Sequence, residues 1–188
     1  MDAFGYLAVL ISIVLGLGIT NLLIGVALLV RRRHQVRLFW PAPFWISTLF
    51  LVHVQTWWAM FGLRSVVRWN FAAFLIVLLQ PVLLFLMAAL IAPDLADALE
   101  PIDTRAAYFH QARWFFGALL LALVVSVSKD VVVYGRLPER DNLIAHAIFM
   151  MIAATGLLVR REGVHKVLAP LGLLLISVYI GLLFTTLS

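Results

Sequence analysis

Apolar residues run in long unbroken stretches along this chain, with polar positions gathered mainly between them. Six stretches approach the roughly 20 residues that a helix needs to cross about 30 Å of hydrocarbon. They cover about 5–30, 39–63, 71–92, 109–128, 142–159 and 167–187. In lipid the backbone must satisfy its own hydrogen bonds, and continuous apolar runs of this length do so as helices. The pattern predicts an all-α polytopic membrane protein, a six-helix transmembrane bundle that forms one domain over residues 1–188. The connections are short apart from 94–107 and 129–142, so no extramembrane domain is expected. The first run lacks a basic leader and is too long for a signal core, which makes it a retained span.

Composition agrees with this reading. The 188 residues are 64% hydrophobic and 12% charged, against roughly 45–50% and about 25% in soluble domains. The absence of cysteine excludes disulfides, thiolate catalysis and Fe–S clusters. The net charge of +5 does not imply nucleic acid, because the basic residues sit at span ends. Arg31, Arg32, Arg33, Arg37, Arg105, Arg113, Arg160, Arg161 and Lys166 gather on one side. Arg64, Arg68, Lys129, Arg136 and Arg140 lie on the other. The positive-inside rule places the richer side in the cytoplasm and both termini outside. Arginine greatly exceeds lysine, as in a GC-rich bacterial genome, so the expected location is a bacterial inner membrane.

Polar side chains inside the spans carry the candidate chemistry. His53, Gln80 and Ser177 lie near the middle of the second, third and sixth spans, and Asn21 lies about a turn away in the first. On the second span His53, Thr56, Trp57, Met60 and Arg64 follow helical spacing and share a face, while Gln55 and Trp58 point elsewhere. Trp57 is thereby placed to stack on His53 or to line the same cavity. Gly18, Asn21 and Gly25 form a small-residue face suited to close helix approach. Gln80 precedes Pro81, where a helix loses one backbone bond. Beyond this layer, Arg64, Arg68, Lys129, Asp130 and His146 form a candidate vestibule at the outer boundary. Trp40, Trp69 and Trp114 mark span ends as interfacial anchors.

Two further patterns are weaker. Asp94, Asp97, Glu100 and Asp103 recur every third residue and read as an interfacial acidic loop. Residues 28–41 align without gaps to 157–170, sharing Leu, Leu, Val, Arg, Arg and a final Pro, either as a duplicated hairpin or as two similar span exits.

No span holds a carboxylate of the kind that coupled carriers use, and no common catalytic motif occurs. The polar layer and basic outer face therefore point first to a passive channel or facilitator, homo-oligomeric, with the bilayer as its main partner. A ligand- or partner-binding membrane module, such as an accessory subunit or sensor, is the alternative. A haem or metal protein using His53 with His146 comes third, against the expectation of no cofactor. An enzyme is the least supported class.

Overall fold

A computed structural model of the protein describes residues 3–66, 68–92 and 102–183. Six helices account for nearly all of them: α1 (Ala3–Arg31), α2 (Pro41–Ala59), α3 (Phe71–Ile91), α4 (Thr104–Tyr134), α5 (Arg140–Leu158) and α6 (Glu162–Leu183). A 3-10 turn, Met60–Ser65, prolongs α2. All six are long and apolar enough to span a bilayer. The predicted six-helix bundle is the observed fold.

Caps and turn residues set several of the helix ends. Pro41 opens α2, where its missing N–H is harmless. The Asn70 side chain accepts from the Ala73 N–H at 2.8 Å and starts α3. Asp103 likewise accepts from the Arg105 N–H at 2.9 Å and starts α4 ahead of its apolar run. That helix continues to Gly135, whose positive φ of 67° closes it with an N–H bonded to the Val131 carbonyl. Its 31 residues extend about 46 Å, more than the hydrocarbon requires. Helix α6 begins at Glu162, so Pro170 lies inside it and not near its first turn. The sequence echo therefore has two different backbones, a bend before α2 in the first copy and mostly helix in the second.

The helices form a closed ring in the order α1, α3, α4, α5, α6, α2, with α2 also touching α3. Lipid supplies no hydrophobic drive between helices, so shape decides which apolar residues meet. On α1, Leu7, Ile11, Leu15, Gly18, Leu22 and Gly25 form the buried stripe, while Val9, Ile13, Leu17 and Ile24 face outward.

The two ends of the ring differ. One carries Arg31–Arg33 and Arg160–Arg161, and is here the arginine end; the described chain limits, Ala3 and Leu183, lie at the other. At the arginine end, strand β1 (Val36–Arg37) pairs in parallel with β2 (Ile102–Asp103). Thr104 Oγ1 accepts from the Phe39 N–H at 2.7 Å and donates to the Arg37 carbonyl at 2.8 Å, which ties this bend to α4. Behind it Trp45, Phe115 and Phe116 meet with ring centroids 5.1–5.5 Å apart, fully buried. Two glycines admit these rings. A Cβ on Gly156 would lie 2.5 Å from the Phe116 ring, and one on Gly172 would lie 3.0 Å from Trp45.

Candidate functional site

Towards the other end the packing opens into a chamber of about 240 Å³ with walls from all six helices. Trp45, Met87 and Phe115 form its floor, and Tyr134, Asp130 and Asn142 stand near its mouth. Leu49, Leu84 and Leu119 make its lower wall apolar. The half of α5 before Ile152 contains no buried residue, and its Asn142, His146 and Phe149 border the chamber.

On α2 the chamber-facing positions are Trp45, Thr48, Leu49, Val52, Gln55, Thr56 and Ala59, one stripe at three- and four-residue spacing. His53 lies beside that stripe and not on it. Relative to His53, Thr56 and Trp57 are rotated in opposite directions, together spanning about 100° of the helix circumference. This arc meets three environments. Thr56 faces the chamber, His53 packs against α1, and Trp57 is 55% exposed on the outer surface.

His53 is fully buried. Its Nδ1–H donates to the Leu49 carbonyl at 2.7 Å, because a carbonyl only accepts. Its Nε2 has no partner among the described residues. A Cβ on Gly18 would approach that nitrogen to 2.2 Å, so glycine is what allows the ring to seat against α1.

The predicted vestibule and the predicted polar layer meet at one point. Lys129 reaches into the chamber, and its Nζ donates to Gln80 Oε1 at 3.3 Å. Gln80 stands nine residues beyond Phe71 on α3, about 14 Å along the helix. The lysine amine is thus drawn well inside the span. Among the described residues no carboxylate lies within ion-pair distance of it; the ion pairs join Glu162 to Arg105 and to Lys166 at the arginine end.

Around Lys129 the other polar groups are largely engaged. His146 Nδ1–H donates to the Asn142 carbonyl at 2.8 Å, so its Nε2 accepts from the Ser126 hydroxyl at 3.0 Å. The Tyr179 hydroxyl donates to Asn142 Oδ1 at 2.8 Å. Thr56 differs from five other helical hydroxyls. Thr20, Thr48, Ser128, Thr155 and Ser177 all donate to the carbonyl four residues back. The Thr56 hydroxyl is buried on the chamber wall and has no partner among the described residues.

The remaining candidates lie elsewhere. Ser177 is exposed, with its hydroxyl on the Leu173 carbonyl. Asn21 is half-buried on α1, away from the chamber. Arg64 is exposed and covers the Phe61 ring at 3.8 Å, and Arg68 is exposed too. His53 and His146 occupy different surroundings, and no group of three metal-ligating side chains occurs among the described residues. Asp94, Asp97 and Glu100 fall outside the described residues. Sequence reasoning missed Ser126, Asn142 and Tyr179 as chamber residues. The available signal was their placement toward one end of three different helices.

The chain is a membrane-type protein with six candidate transmembrane helices, and in comparisons with family models, curated proteins and solved structures nothing matches it.

Proposed function

We propose that this protein is a ligand-binding membrane module that holds a small amphiphile in the chamber. The observation that carries the reading is the Thr56 hydroxyl, buried on the wall of a six-helix cavity without a partner among the described residues. An unsatisfied buried hydroxyl costs about 1–3 kcal/mol, and a ligand oxygen at that wall relieves this. The apolar floor and polar upper wall match a molecule with an apolar body and a polar head. The volume of about 240 Å³ lies below the roughly 300–1,000 Å³ of drug-sized sites, which suits a short chain.

The test is photolabelling with a diazirine-bearing octanol in lipid nanodiscs. Labels are expected on chamber residues such as Leu49, Leu84 and Phe115, and lost in Ala122→Phe, which fills the chamber. Labelling that ignores Ala122→Phe, or falls only on the outer surface, overturns the reading.

A passive conduit is the second reading. Its support is the position of Phe115, which borders both the chamber and a second cavity of about 370 Å³ towards the arginine end. Trp45, Phe115 and Phe116 stand across that route, so conduction requires the rings to move. Liposomes containing Phe115→Ala are expected to pass small solutes faster than wild type on this reading. Flux at the empty-liposome level for both proteins counts against it.

A further inference from the structure

We infer that the bound amphiphile is a single-chain carboxylate and that Lys129 anchors its head. This rests on the chamber reading above and specifies the ligand class. An ammonium placed inside a span is expensive unless it is paired, and such groups mark sites of function. The two lysines of the chain differ in this respect. Lys166 is ion-paired with Glu162 at 2.6 Å on an exposed part of α6. Lys129 has one amide oxygen at 3.3 Å and no carboxylate within ion-pair distance among the described residues. An ammonium carries three donors, so two remain for a ligand after Gln80 takes one.

The surroundings define the shape of that ligand. The amine lies at the level of Gln80, and Met87 on the floor is seven residues further along α3, about 10 Å below. Between them the wall is Leu84, Leu119 and Leu49. A short alkyl chain runs down this wall while its head meets Lys129 and the free Thr56 hydroxyl. A carboxylate accepts from both, since it offers two oxygens and no proton. The chamber is too small for a two-tailed lipid. Asp130 also borders it near the mouth. That carboxylate repels an anion, and it sets a limit on how tightly an acid binds.

The experiment uses competition against the octanol photolabel in nanodiscs, with octanoate, octanol and octyl phosphate as competitors. In wild type, octanoate is expected to displace the label at a concentration about ten-fold lower than octanol. Lys129→Met should bring the two to parity, Lys129→Arg should keep the preference, and Asp130→Asn should sharpen it. Persisting photolabel in Lys129→Met shows that the variant has folded and that the chamber remains. Parity in wild type, or an unchanged preference in Lys129→Met, overturns the anionic head while leaving the chamber reading intact. Octyl phosphate displacing the label below octanoate overturns the carboxylate assignment in favour of a phosphate head. Failure of the photolabel to reach the chamber removes both readings together.

Discussion

Gly18 and His53 show how much one atom decides inside this bundle. The imidazole occupies the space that any side chain at position 18 needs. Gly18→Ala is expected to destabilise the protein by about 1–3 kcal/mol, because a Cβ there displaces the ring or separates α1 from α2. Thermal unfolding in detergent measures this. Adding His53→Ala should recover part of the loss, since the clash needs both partners. Equal effects of the single and double variants would contradict the contact. His53 therefore has a sufficient structural role as the knob that joins two helices. The residue with open chemistry is Thr56, one turn away on a different sector.

At the scale of elements, the arginine end is held by hydrogen bonds that cross long stretches of sequence. Thr104 ties the bend before α2 to the start of α4. Thr104→Val leaves the Phe39 N–H without its acceptor and is expected to cost about 1–3 kcal/mol. Hydrogen exchange should show the Phe39 amide losing protection before the helices do. Tyr108 and His165 join α4 to α6. The tyrosine hydroxyl donates to His165 Nδ1 at 2.9 Å, because Nε2–H is committed to the Val159 carbonyl at 2.8 Å. Tyr108→Phe removes that donor from a buried site and should lower the unfolding temperature, by an amount equivalent to about 1–2 kcal/mol. Restored stability in Tyr108→Phe combined with His165→Phe would identify the lost hydrogen bond, and not the ring packing, as the cause. The exposed pairs of Glu162 with Arg105 and Lys166 should matter far less, since water and salt screen them.

At the scale of the molecule, the bundle encloses two hollows, the chamber and a second cavity towards the arginine end. Aromatic rings close the chamber floor, and two glycines let the neighbouring helices come close enough to hold them. Ala122→Phe is expected to fill the chamber with little loss of stability, because the ring enters space already present. Measured by thermal unfolding, a loss beyond about 3 kcal/mol would place this position in a packed interior instead. The arginine-rich face predicts an orientation: cysteines introduced at Met1 and Ser188 should label only from outside the cell. Labelling from the cytoplasm would reverse it.

Hydropathy and length were enough to read the fold, because a backbone surrounded by lipid has almost no alternative to the helix. Six spans followed from that constraint alone, while α4 outlasted its apolar run between Asp103 and Gly135 and α6 began ahead of its run, at Glu162. The site was legible in part. Gln80, Lys129, Asp130 and His146 were visible as polar residues near or within spans, but as members of two separate groups. In water a polar residue marks the outer face of a helix; in lipid both faces are apolar, so composition does not tell inside from outside. Trp45 is buried at the floor while Trp57 faces outward, and Thr56 borders the chamber while Ser177 does not. The sequence by itself determined the number and kind of the spans. Tertiary structure alone decided which sectors face one another, how far the long Lys129 side chain reaches, and where the packing leaves a hollow, because these depend on the fit of side chains from distant segments.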